Sequence, residues 1–289
     1  MEGEHIKGSP FTVTMKLPVQ KLGTPSKTIR GVNKPWGVAV NQRGDIIVAE
    51  SSGCCVSIFS PAGEKVQSFG SKGLSHGQFI NPRGVAVDSE DNILVVDYIH
   101  VQKFTSNGQI ITAVGKKGDK HLEFYDSYGI GIHPHFRKVY VADTSNHRIQ
   151  ILNPDLTFSS SFGGDGEDNG QFNRPYDVAF DSTGNVYVVD FGNHCIQVFT
   201  AAGQFMRKFG TKGKGNGDLY FPIGISIDTD DVVYVTEFQN NRVSVFTCDG
   251  NFLFSFGPGQ LGSPRGIAVD KNGVVYISDY GHHHINLYC

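Results

Sequence analysis

The sequence predicts an all-β fold: a six-bladed β-propeller whose ring is closed by an N-terminal outer strand on the last blade. Three observations predict it. A unit of 42 to 48 residues recurs along nearly the whole chain, each copy holds short strand-like runs separated by turn residues, and the last copy stops one strand early.

The clearest copy is residues 170–210. Its run 178–180 is short and rich in small residues, and 186–189 is β-branched and aromatic. Run 196–199 follows a turn, and 205–209 alternates apolar with polar or basic residues. Between them lie Asp-Ser-Thr-Gly-Asn, Gly-Asn-His and Ala-Ala-Gly, each a turn chemistry.

The first strand of each copy opens at Gly37, Gly84, Gly129, Asp177, Gly224 and Gly266. A proline stands two residues earlier at Pro35, Pro82, Pro175, Pro222 and Pro264, with Ser127 in the third copy. The second strand ends on an acid in every copy: Glu50, Asp97, Asp143, Asp190, Glu237 and Asp279. These carboxylates are expected to accept backbone N–H bonds in their own loops, rather than to ring a metal. The sixth copy supplies three strands before the chain ends. Residues 21–32 are expected to supply the fourth by pairing against 285–288, which removes both exposed sheet edges. The propeller is therefore assigned to residues 19–289.

Composition agrees with one radial array. Hydrophobic residues make up 39% of the chain and are spread evenly, as expected where each blade packs on two neighbours. No apolar run approaches the length of a membrane span or a secretory signal. The five cysteines show neither metal spacing nor an even framework, and point to a reducing, cytoplasmic setting. The formal net charge of −3 gives no global pull toward nucleic acid.

The repeat resembles NHL repeats. The resemblance rests on Asn146-His147-Arg148, Asn193-His194-Cys195 and the variant Asn240-Asn241-Arg242, with the surrounding P-x-G-V-A-V-D, V-Y-V-x-D and I-Q-V-F elements. Residues 5–14, HIKGSPFTVT, resemble the last strand of a filamin-type immunoglobulin repeat. Residues 1–18 are therefore read as the remnant of such a repeat, either mobile or borrowed as an extra strand, and the chain as a piece of a longer protein. Together these features resemble the TRIM-NHL family. That resemblance implies RING-type E3 ubiquitin ligases in which a RING, B-boxes and a coiled coil precede a filamin repeat and a propeller that selects a protein or RNA partner. This chain shows no zinc spacing, so catalysis is not expected of it, and no cofactor is implied. Without the coiled coil, a monomer is expected.

In a propeller of this topology one face collects two sets of residues. Between Pro and Gly stand Trp36, Arg83, Tyr128, Tyr176, Ile223 and Arg265. Just past the second strand stand Ser51, Tyr98, Thr144, Phe191, Phe238 and Tyr280. Trp36, Arg83, Tyr98, Tyr128, Tyr176, Phe191, Phe238, Arg265 and Tyr280 form the predicted recognition surface, flanked by Lys34, Arg148, Arg174 and Arg242. Such rings and cations suit protein anchors, or bases and phosphates of RNA. The alternative is that the rings lean inward over the channel mouth. Truncating Tyr176 and Phe191 together is expected to cost partner binding but not stability. RNA recognition with message repression ranks second, because the face is not strongly basic. A plain protein-interaction scaffold is the third reading.

Other side chains carry less. His147, His194 and His282–His284 occupy one loop position of different blades, too far apart to share a zinc ion. His76, His121, His133 and His135 are read as surface. Lys72, Lys116, Lys117, Lys212 and Lys214 fall in Gly-rich loops read as solvated. Metal-dependent propeller enzymes present ligands from their innermost strands, and here those strands read VAV, VAV, IGI, VAF, ISI and IAV. Asp88, Asp181, Asp228 and Asp270 are read as turn formers, and no catalytic motif is present.

Overall fold

The second strand of each copy is apolar on both faces, so it needs a packed sheet on either side. In the computed structural model, which describes residues 23–289, six four-stranded antiparallel sheets supply that packing by standing around one axis. Ile46–Glu50, Val139–Asp143, Val186–Asp190, Val233–Glu237 and Val275–Asp279 are buried along their whole length. Outermost strands such as Phe205–Phe209 are exposed at every second residue, which explains their alternating pattern.

The core is divided among the blade interfaces. One cluster joins Ile47 and Val56 of blade 1 to Val85 and Val95 of blade 2. Another joins Ile285 and Leu287 of blade 6 to Val38 and Ile46 of blade 1, and so closes the ring. Lys27–Ile29 is the missing fourth strand of blade 6. It runs antiparallel to His284–Tyr288, with Lys27 opposite Leu287 and Ile29 opposite Ile285. Its weak apolar pattern has a simple cause: around it, only Ile29 and Val32 turn into the core. The proposed filamin remnant, residues 1–18, lies outside the described residues.

The innermost strands are Pro35–Val40, Gly84–Val87, Ile130–Ile132, Pro175–Phe180, Pro222–Ile227 and Pro264–Val269. They approach one another closely at the strand-opening glycine. A Cβ at Gly266 would lie 2.5 Å from the Trp36 carbonyl oxygen of the next blade, and one at Gly84 the same distance from that of Tyr128. Blade 4 departs from this rule. Its innermost strand is longer than the 178–180 run and carries Asp177, so the reading that these strands hold no carboxylate is corrected. Asp177 Oδ2 accepts the Ile225 N–H at 3.1 Å from blade 5, and Oδ1 accepts the Val178 N–H at 2.9 Å.

The acids that end the second strands also have a wider role than expected. Each accepts a backbone N–H from the segment ahead of its blade's first strand, and Asp97 alone of the six also accepts the Ile99 and His100 amides of its own turn, as expected. Asp143 accepts from Tyr125 at 2.9 Å, Asp190 from Asn173 at 2.9 Å, Glu237 from Tyr220 at 3.0 Å and Asp279 from Gly262 at 2.9 Å. The repeat asparagine completes the clasp. Asn193 Nδ2 donates to Asp190 at 2.8 Å and to the Gly166 carbonyl at 2.9 Å; Asn146 and Asn240 do the same for Gly118 and Gly213. The following residue takes a left-handed conformation, with φ of 54° at His147 and 57° at His194. Its ring then reaches the next blade: His194 Nδ1 accepts the Phe221 N–H at 3.1 Å. The Asn-His pair is thus a fastener within and between blades. His133 corrects a second reading. It is 1% exposed, not on the surface, and its Nε2 meets the Gly184 carbonyl at 3.1 Å. The loops bearing Lys72, Lys117 and Lys212 are internally paired, through bridges to Phe79, Phe124 and Leu219. Asp88 and Asp181 are turn formers as expected, each accepting the amides two and four residues on.

Candidate functional site

A local irregularity builds the candidate site. In blades 1, 4, 5 and 6 the register between first and second strands shifts just after the proline, between Pro35 and Val38, Pro175 and Val178, Pro222 and Ile225, and Pro264 and Ile267. Such a bulge frees a side chain from the alternation of the ladder and re-aims it. The freed residues include Trp36, Tyr176, Ile223 and Arg265. Arg83 and Tyr128 hold the same place in blades 2 and 3, where regular pairing starts one or more residues later.

These residues converge over one end of the axis. The Trp36 ring lies 5.1 Å from Tyr128 although they belong to blades 1 and 3. Tyr128 stacks on Tyr176 at 4.1 Å, and Tyr176 on Phe191 at 4.1 Å. Tyr280 meets Trp36 edge-on at 5.5 Å. The Arg265 guanidinium carbon is 4.6 Å from the centroids of both Trp36 and Phe238, and 5.0 Å from that of Tyr280. Arg83 lies 3.7 Å from Tyr128 and 5.5 Å from Trp36. Eight of the nine sequence-predicted residues therefore form one assembly. Tyr98 stands apart, packed edge-on against Tyr125 at 5.9 Å.

Burial divides this assembly into a floor and a rim. Arg83, Tyr128 and Tyr176 are buried, at 6%, 8% and 6% exposure, and form the floor. Trp36, Phe191, Phe238, Arg265 and Tyr280 are half-buried and form the rim. The inward-leaning alternative thus holds for the floor. Tyr176 is buried in that floor, so its truncation is now expected to cost stability as well as binding.

The cations differ in how far they are already engaged. Arg148 Nε sits 2.8 Å from Asp143, and Arg242 Nε 2.6 Å from Glu237; both also donate to loop carbonyls. They belong to the blade fasteners and are not free to serve the candidate face. Arg83 Nη1 donates to Asp126 at 2.6 Å. Arg174 lies 3.8 Å from the same carboxylate, and Lys34 sits 4.5 Å from the Tyr280 centroid. Arg265 has no hydrogen-bond acceptor for its guanidinium among the described residues, and its Nε is buried without one. Burial depresses its pKa, and the nearby Arg83 adds to that.

Two residues were missed by the sequence reading. Phe221 continues the row, 4.7 Å from Phe191, and Tyr220 stacks on Phe221 at 5.2 Å. The signal was one place before the proline. Lys34, Arg174, Phe221 and Ser263 all stand there with φ between 52° and 62°, and the first three meet rings of the site. A bulky phenylalanine rarely adopts that conformation.

Comparison with known proteins agrees with this architecture. Residues 32–59, 172–199, 219–246 and 261–285 match the family described as NHL repeat. Four of the six copies are therefore NHL repeats. The matched copies are blades 1, 4, 5 and 6, the four that carry the proline bulge. In sequence, the chain is 36% identical over 69 residues to the E3 ubiquitin-protein ligase TRIM71 of Rattus norvegicus, covering 21% of this chain and 8% of the relative. Against the Gallus gallus protein the figures are 35% over 72 residues, 22% and 8%. The match spans only a small part of those ligases. In fold, it is similar to a gluconolactonase from Xanthomonas campestris, with a TM-score of 0.70 at 15% identity, over 90% of this chain and 88% of the other. It is also similar to virginiamycin B lyase from Staphylococcus aureus, with a TM-score of 0.64 at 15% identity, over 91% and 87%. At such identities only the fold is shared. Among the described residues no three His, Cys, Asp or Glu side chains converge to hold a metal, and no helix is long and apolar enough to cross a membrane.

Proposed function

We propose that this NHL propeller is a non-catalytic partner-recognition module, and that its partner is a protein bound on the rim formed by Trp36, Phe191, Phe238, Arg265 and Tyr280. One observation carries this reading: a row of half-buried rings and cations gathered over a rigid floor at one end of the axis. Aromatic rings and arginine are the residues that anchor protein interfaces, and a buried floor holds them in place before binding. The likeness to TRIM71 supports a place in a longer E3 ligase, where the propeller would choose what is ubiquitinated. On the resemblance of HIKGSPFTVT, residues 1–18 would be the end of a filamin-type repeat joined to a propeller of residues 19–289.

RNA recognition has less support, since Arg148 and Arg242 are tied into ion pairs and Arg83 and Arg174 share Asp126. A photo-crosslinking residue placed at Phe238, and separately at Met206 on an outer strand, separates the readings. Protein adducts at 238 but not at 206 are expected. RNA adducts alone at 238, lost steeply as salt rises, would overturn the protein reading.

A further inference from the structure

Arg265 is the arginine of the described residues that the fold leaves unanswered. Arg43, Arg83, Arg137, Arg148, Arg174 and Arg242 each have a carboxylate within 4.0 Å. Arg30 meets the His284 ring at 2.9 Å, and Arg207 donates to the Tyr187 hydroxyl at 2.9 Å. Arg265 alone has only rings for company, with Trp36, Phe238 and Tyr280 on its sides. Cation–π contact offsets part of the cost of withdrawing a guanidinium from water, yet leaves its five N–H donors unused. A half-buried cation without an acceptor destabilises a fold, and its ready complement is a bidentate carboxylate.

Resting on the recognition reading above, we infer that Arg265 is the receptor for one aspartate or glutamate side chain of the partner protein, seated in the cage of Trp36, Phe238 and Tyr280. Three features select this ligand. Arg265 offers one guanidinium fork, which a carboxylate matches bidentately with Lys34 beside the Tyr280 ring as a second cation at the cage edge, whereas a polyanionic backbone crossing the mouth would also meet the Asp126 carboxylate beside Arg83 and Arg174. The cage walls are aromatic, so residues flanking the carboxylate are apolar. The walls come from blades 5, 6 and 1, on more than one side of Arg265, so a chain crossing the mouth touches them all, while a chain end would use one side.

The test uses the full chain against immobilised random decapeptides, N-acetylated and C-amidated so that side chains carry the only carboxylates. One set holds a single Glu or Asp, and a matched set holds Gln or Asn in its place. The expected result is enrichment of the acidic set with apolar neighbours, and a loss of tenfold or more when the acid of the best binder becomes its amide. Arg265→Gln is expected to erase that difference while unfolding at the same or a higher temperature, since a poorly solvated charge has been removed. Equal binding of acid and amide peptides, lost in Phe238→Ala, would overturn the carboxylate inference and leave the recognition reading standing. A preference for acid that survives in Arg265→Gln would overturn it as well. Failure of both sets, with enrichment of RNA from a random pool instead, would overturn both.

Discussion

Replacing Tyr176 with alanine tests whether the candidate site rests on the core. The ring is 6% exposed and stacks on Tyr128 and on Phe191, each at 4.1 Å. Truncating a buried aromatic costs about 3–5 kcal/mol, from lost transfer energy plus the cavity left behind. Tyr176 lies at the mouth of the interface between blades 4 and 5, and the half-buried Phe191 has room to lean into the gap. The lower end of the range, about 3 kcal/mol, is therefore expected. Of this, the two stacking contacts supply about 0.5–1.5 kcal/mol each. Guanidinium unfolding should show a lower midpoint at unchanged slope. Tyr176→Phe should stay within about 1 kcal/mol of the parent, because the ring is kept. In a double-mutant cycle, Tyr176→Ala and Phe191→Ala together should cost about 0.5–1.5 kcal/mol less than the sum of the singles, since one stack is counted twice. A loss under about 1 kcal/mol for Tyr176→Ala would show that the floor is not core, and the division into floor and rim would fall.

Asp190→Ala strands the Asn173 amide, the Asn193 side chain and the Gln197 side chain, which all donate to this carboxylate. A loss of about 3 kcal/mol or more is expected in the same unfolding assay, at about 1–3 kcal/mol per stranded group less what water recovers. Asp177 has its pKa raised to about 7 by burial, so the folded state holds a proton that the unfolded chain releases near pH 4. Stability should then fall as pH rises from about 4 to about 7 and level off above that. Asp177→Asn should remove this component of the slope and gain about 1–2 kcal/mol at pH 8, less than the full linkage because part of the side chain meets solvent. An unchanged pH profile would refute the assignment. Ile29→Asp places a charge in the buried seam between blades 6 and 1. The expected result is loss of cooperative unfolding or a midpoint shift worth about 3 kcal/mol or more, whereas a neutral outcome would mean that Lys27–Ile29 does not close the ring.

The repeat was legible because its strand-forming signals are local and occur six times. Six acids at one position and five prolines at another mark copies that no single segment would reveal. Closure was legible for a different reason: a count of three strands in the last copy demands a fourth. What escaped depends on pairing between segments distant in sequence. Nothing local tells that the Asp190 carboxylate reaches Asn173, seventeen residues back, or that His194 holds an amide of the following blade. His133 looked like a surface residue because its partner, the Gly184 carbonyl, belongs to the next copy. The site shows the same limit. The residues between proline and glycine gather at one end of the axis, but whether a side chain there is floor or rim depends on the neighbours that lean over it. Tyr128 and Tyr176 lie under one another's rings, while Trp36 and Arg265 are left half-open. Arg265 also could not be told from Arg83 by sequence, since the difference is one carboxylate, Asp126, supplied by the next blade to Arg83 and by none to Arg265. A binding hypothesis drawn from repeat position alone therefore names the face, and only the packing across the axis decides which residue on it remains free to bind.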